Sequence, residues 1–186
     1  EKILSSKRGA GYWLWKPYFI RKTLDMCSEG DLVFYADAGS FFFRDISPLF
    51  ARIEDEKIVC FQLAGGHKEG EWTRKSVITG LGFDPEEFRH TEQRMASFIG
   101  VVKNDKNISI IEEYLSRCTD PDLIMDKERE EDEFEEFKDH RHDQSIWSVL
   151  TKKNNIIMLP DPTQWGRSHG SSDVEDFYIN HHRSKS

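Results

Sequence analysis

Residues 31–44 read DLVFYADAGSFFFR, and the reading of this stretch decides the fold. Leu32 to Tyr35 form an uninterrupted apolar and aromatic run, the pattern of a strand covered on both faces. The run stops at Asp37-Ala38-Gly39-Ser40, which sets a carboxylate and a permissive glycine at the expected carboxyl end of the strand. In open α/β sheets ligands sit outside that edge, and an acid placed there reaches a metal or a substrate while staying solvated. Asp before Gly also closes turns, so both readings of Asp37 stand at this point.

Outward from this strand, helical and strand patterns alternate. On the amino-terminal side Pro17 suits the first turn of a helix continuing over 18–26, ended by Ser28-Glu29-Gly30. On the other side the spacing predicts a helix over 47–55, a strand over 57–63 and a helix over 72–81. A helix start follows at Asp84-Pro85, then a strand over 95–102. Asp105 or Asn107 is the expected cap of the next helix, with Ile108, Ile111 and Leu115 as its apolar stripe. A further helix opens at 140–144 and runs to about Lys153, a short strand covers 156–159, and 160–186 reads as loop.

This alternation predicts an α/β fold, a layered sheet flanked by helices, with 1–186 as a single domain. Only three or four strands are evident, and the chain begins at Glu1 within an amphipathic turn. The expectation is that residues precede it.

A chain of 186 residues with 13 Phe, 5 Trp and 5 Tyr has ample apolar material for one core. A net charge of −8 argues against a general nucleic-acid binder. Residues 126–139 hold nine acids and three bases, and read as a solvated connecting segment without the pattern of a calcium loop. Cys27, Cys60 and Cys118 form no CxxC pair, so neither a zinc knuckle nor a disulfide framework is indicated. A reducing, cytoplasmic setting is the expectation. No run approaches the roughly 18 apolar residues of a transmembrane helix.

Three clusters carry chemistry. Asp37 is the first. His140-Arg141-His142-Asp143-Gln144 is the second: Asp143 at a helix start either caps the helix or points outward as a base or sugar-hydroxyl acceptor. The third is His181-His182-Arg183, read either as a tail or as a segment that folds back to supply imidazole to a metal and a cation to phosphate. Lys7, Arg8 and Lys16 form a basic group beside Tyr12, Trp13 and Trp15, a pairing suited to a nucleotide or sugar phosphate, although both tryptophans are equally readable as core.

Three segments resemble a group of nucleotide-sugar glycosyltransferases of the GT-A fold: Gly9-Ala10-Gly11-Tyr12-Trp13-Leu14-Trp15-Lys16-Pro17 (GxGYWxWKP), Tyr35-Ala36-Asp37-Ala38-Gly39 (YxDAG) and His140 to Ser145 (HRHDQS). Residues 93–103, QRMASFIGVVK, are also similar to that group. The resemblance implies a GT-A-like sheet lacking or truncated in its N-terminal βαβ unit, and metal-dependent transfer of a sugar from a nucleotide-diphosphate-sugar donor, UDP-sugar favoured, to a glycan hydroxyl. It implies Asp143 and Gln144 as catalytic residues. Lys7, Arg8, Trp15, Lys16, Tyr35, Gln93, His142 and Arg183 are the implied donor contacts. Asp37, His181 and His182 are the implied ligands of Mn²⁺ or Mg²⁺. The second acid of the usual metal motif is Gly39 here, a departure from the pattern. The alternatives are a non-catalytic nucleotide-sugar or carbohydrate-binding domain and a metal-dependent phosphohydrolase.

Overall fold

The computed structural model describes residues 2–168 and 177–182, with backbone alone at 167 and 168. The apolar run that opens the reading is β1, Leu32–Ala36. A short β2, Ser40–Phe42, follows the turn at Asp37, and then come β3, Ile58–Gln62, β4, Arg94–Val102, β5, Ile157–Leu159, and β6, Ile179–His181. The main sheet has the order β1-β4-β3-β5, and β2 pairs separately with β6. β4 runs antiparallel to both β1 and β3, whereas β5 is parallel to β3. β1, β3 and β5 therefore point the same way, and their carboxyl ends share one edge with the amino end of β4. The fold is mixed α/β: a small mixed sheet flanked by helices.

Alternation along the strands gives two apolar faces. Val33, Ile58, Cys60 and Ala96 join one core cluster, into which helices Trp15–Met26, Asp105–Cys118 and His142–Lys153 send Ile20, Leu24, Ile111, Tyr114, Ile146 and Trp147. Val59, Phe61 and Phe98 join the other, with Leu49 and Ile53 from helix Ser47–Glu56 and Ile179 from β6. β1 is covered on both faces, as its sequence predicts; its residues stay mostly half-buried because it is an edge strand. Among the described residues no helix is long and apolar enough to cross a membrane.

Several expectations need correction. The helix expected over 72–81 is two pieces, Glu69–Trp72 and Lys75–Gly80, because Thr73 is extended. The break leaves the Trp72 carbonyl to accept from Ser145 Oγ (2.7 Å) and the Arg141 amide (3.1 Å). The cap of helix Asp105–Cys118 is Asn104, whose side chain accepts from the Asn107 amide, and the buried stripe is Asn107, Ile110, Ile111, Tyr114 and Cys118. Ile108 and Leu115 lie one step round the helix and are half-buried. Within 160–186, expected as loop, the chain forms helix Gln164–Ser168 and strand β6.

The acidic segment is tied down. Arg8 holds its two ends, Asp126 at 2.9 Å and Asp139 at 2.6 Å. Arg89 grips Glu136 through two hydrogen bonds of 2.6 and 2.7 Å, which draw that carboxyl down to about 2. Phe134 is buried beneath the loop. Interspersed aromatic residues and matching cations on the facing surface convert a charge run into a packed strap.

Candidate functional site

A cavity of about 1070 Å³ opens at the edge where β1, β3 and β5 end. Asp37 enters from β1, Leu63 and Ala64 from β3, Ser97 and Phe98 from the start of β4, and Asp161 from just beyond β5. The first turn of helix His142–Lys153 forms the floor, presenting His142, Asp143 and Gln144. Gln144 Oε1 accepts from the Ala96 amide at 3.4 Å, which fixes that turn against β4.

The centre of the floor is a charge cluster. Lys16 and Asp143 are each only 3% exposed, and Lys16 Nζ lies 2.8 Å from Asp143 Oδ2 and 3.7 Å from Asp37 Oδ1. The Tyr114 hydroxyl donates to Asp143 Oδ2 at 3.1 Å, and the Tyr35 hydroxyl to Asp37 Oδ1 at 2.7 Å. Burial pushes the Asp143 carboxyl above its usual range, against the pull of Lys16. Burial also raises both tyrosines, so they remain hydrogen-bond donors. Asp143 does not cap its helix: no side chain caps that terminus, and its carboxylate turns inward to Lys16.

The GxGYW segment builds one wall. Gly9, Ala10, Gly11, Tyr12 and Trp13 all have positive φ, from 49° to 94°. Non-glycine residues in that region cost on the order of 1–2 kcal/mol each, and such strain gathers at functional sites. Here it lays the Trp13 ring against His142, with centroids 5.7 Å apart, and over Gly9, where any Cβ would sit 2.4 Å from the indole. Trp72 forms a second aromatic wall, with the Arg141 guanidinium 3.9 Å above its centre. His140 and His142 are held neutral by burial. His142 Nδ1 contacts the Ile124 carbonyl at 2.7 Å and His140 Nε2 the Leu123 carbonyl at 2.9 Å, contacts that make those nitrogens the protonated ones.

Gly39 has a steric reason. A Cβ there would lie 2.4 Å from the His182 carbonyl oxygen, and the His182 amide donates to the Gly39 carbonyl at 3.0 Å. An acid at this position would displace β6. The pairing of β2 with β6 brings His181 and His182 to the cavity wall, with His181 Nδ1 3.2 Å from Ser40 Oγ.

The structure thus gathers Asp143, Gln144, Arg8, Lys16, His142, Asp37, His181 and His182 around one cavity. Four expected donor contacts do not reach it. Lys7 is exposed outside it. Trp15 donates its indole N–H to the Gly9 carbonyl, Tyr35 stands behind Asp37, and Gln93 is buried behind Gln144, whose Nε2 donates to it at 2.9 Å. These three brace the lining. Arg183 lies outside the described residues. Sequence reasoning missed Asp161, Trp72, Ser97 and Trp165. Asp161 was discoverable, since it follows a strand end just as Asp37 does.

A divalent cation needs several converging oxygen or nitrogen ligands. Among the described residues no three His, Cys, Asp or Glu side chains converge to hold one, and Asp37 Oδ1 already takes Tyr35 and faces Lys16. Asp37, His181 and His182, the residues expected to hold Mn²⁺ or Mg²⁺, all line the cavity without forming such a group of three among the described residues. Comparison with protein-family models, with curated proteins and with solved structures found no match to this chain.

Proposed function

We propose that this cavity is the active site of a glycosyltransferase that moves a sugar from a nucleotide-diphosphate donor to a hydroxyl acceptor, on a GT-A-like fold. The observation that carries the reading is the Asp143–Lys16 pair on the cavity floor, buried yet open to a space large enough for a nucleotide-sugar. Keeping two charges away from water is costly, and the arrangement makes sense where a carboxylate must act in a dry site. The aromatic walls and convergent polar groups suit a ligand with apolar faces and a hydroxyl edge. The GxGYWxWKP, YxDAG and HRHDQS segments, distant in sequence, meet at this one place.

In the transfer, the bond from the anomeric carbon to the diphosphate oxygen breaks and its electron pair leaves with the diphosphate. A bond from the acceptor oxygen to the anomeric carbon forms, and the acceptor proton departs to a base. Asp143 is the base that an inverting course requires; a retaining course uses the same carboxylate beneath the sugar ring. Lys16 favours its ionised form against the effect of burial, and Tyr114 fixes its orientation. Gln144, braced by Gln93, presents the adjoining amide.

The test is a panel of nucleotide-sugars, each with Mn²⁺ or EDTA, scored by thermal shift and then by transfer to glycan acceptors. Stabilisation by one donor and acceptor-dependent release of nucleotide are expected. Binding without turnover indicates a carbohydrate- or nucleotide-binding domain. Turnover that ignores the acceptor indicates a phosphohydrolase.

A further inference from the structure

The polar groups of the cavity are unevenly matched. Lys16 is shared between Asp143 and Asp37, at 2.8 and 3.7 Å. Arg8, at the mouth, is shared between Asp126 and Asp139, at 2.9 and 2.6 Å. Each of these two cations therefore already faces two carboxylates. Asp161 adds another acid to the wall; it is 3% exposed, and its Oδ1 accepts from the Thr163 amide and hydroxyl at 2.9 and 2.7 Å. Arg141 has its guanidinium carbon 3.9 Å from the centre of the Trp72 ring and donates to Gln93 Oε1 at 3.2 Å. Carboxylate oxygens accept hydrogen bonds and have none to give when ionised, so among the described residues the side of the lining that holds Asp37, Asp143 and Asp161 offers acceptors to a hydroxyl-bearing ring and like charge to an acidic one.

We infer that the sugar held on this floor is a neutral hexose, its hydroxyls donating to Asp143, Asp37 or Asp161 and its ring beside Trp13 and Trp72, and that a sugar carrying its own carboxylate is excluded. The inference deepens the glycosyltransferase reading and rests on it for the sugar's being the one transferred. A hexuronate differs from its hexose at one carbon, where a hydroxymethyl group becomes a carboxylate, so the pair isolates the charge. Like charges juxtaposed in a binding site cost several kcal/mol, and 1.4 kcal/mol is tenfold in affinity, so at least about tenfold discrimination is expected.

The experiment compares UDP-glucose with UDP-glucuronate, and methyl glucoside with methyl glucuronide, by calorimetry and saturation-transfer NMR on the whole chain. The expected result is at least about tenfold weaker binding of the acidic member of each pair, with the ratio shrinking in Asp37→Asn. That variant alters a partly exposed carboxylate and leaves the Lys16–Asp143 pair in place. Equal binding within both pairs, tighter binding of the acidic members, a ratio unchanged in Asp37→Asn, or no binding of any of the four overturns the inference. If the glycosides discriminate while both UDP-sugars fail to bind, the inference holds for the sugar subsite and the donor reading falls.

Discussion

The cavity floor and the strap over 126–139 are built from the same materials, carboxylates against lysine and arginine, and they do opposite things. On the strap, Glu136 faces Arg89 and Asp126 and Asp139 face Arg8, at side chains 29–47% exposed to water. On the floor, Lys16 and Asp143 meet with almost no solvent around them. Water screens the first set, so each pair contributes little alone and the strap is held by their number and by Phe134 beneath. The second set stands or falls as a unit, because a lone charge left there has little water around it and only Tyr114 or Asp37 as a remaining partner. The same ionic contact is fastening in one region and chemistry in the other, and burial decides which.

The largest effect that separates the two regions is expected from Lys16→Met. It leaves Asp143 buried without its cation, a change that costs about 3–5 kcal/mol, measurable by urea unfolding at pH 7. The sign of its pH dependence follows. Without Lys16 the folded-state pKa of Asp143 rises further above its unfolded value, so the penalty is present at neutral pH. It shrinks as the pH falls towards that raised value and the carboxyl takes up a proton. A penalty independent of pH between 7 and 4 would show that lost packing, not an unpaired charge, is responsible.

A smaller effect belongs to His140 and His142 in the cavity lining. Burial holds His140 and His142 below their ordinary range. The unfolded chain takes up protons at about pH 6.5 while the folded chain does not, so stability is fully present above that pH and is lost as the pH drops through it. The melting temperature is expected to fall between pH 7.5 and 5.5, with the fall reduced in His140→Gln. A flat profile in the wild type would show that the pair is not held neutral.

The smallest effect is expected on the strap. Arg8→Gln removes both end clamps, yet exposed pairs contribute about 0.2–1 kcal/mol. Global stability should change little while amide exchange over 127–138 quickens. A loss comparable to that of Lys16→Met would erase the distinction between the two regions.

Much of this was legible in the sequence, and what was not has physical causes. β1, β3 and β4 announce themselves because continuous apolar runs have few other uses. Asp37 and Asp143 are found by position, one at a strand's carboxyl end and the other in a helix's first turn. β5 is as short as β2 and β6 but is marked by the apolar run 156–159, whereas β2 is three residues directly after the Asp37 turn and β6 lies within a stretch rich in Ser, Gly and Asp. The strap escapes because charge density alone does not reveal that cations facing it sit at Arg8 and Arg89, far off in sequence. Of the stripe expected on helix Asp105–Cys118, Ile111 is buried while Ile108 and Leu115 lie one step round, because Asn107, polar in sequence, turns inward and donates from its side chain to the Lys57 and Val102 carbonyls. Gly39 looked like a lost ligand, and the approach of His182 supplies a steric reason for it.

The central claim is that the Lys16–Asp143 pair is kept for chemistry. It is tested most directly by the double variant Lys16→Met/Asp143→Asn, with unfolding free energy and donor-to-acceptor transfer measured side by side. Removing both charges together spares the protein a lone buried ion, and such paired replacements are often neutral or stabilising. The asparagine still accepts from Tyr114. The account predicts stability close to that of the wild type, well above Lys16→Met, with transfer reduced by about 10²- to 10⁴-fold. A double variant as unstable as the single one, or one that transfers sugar at the wild-type rate, would contradict it.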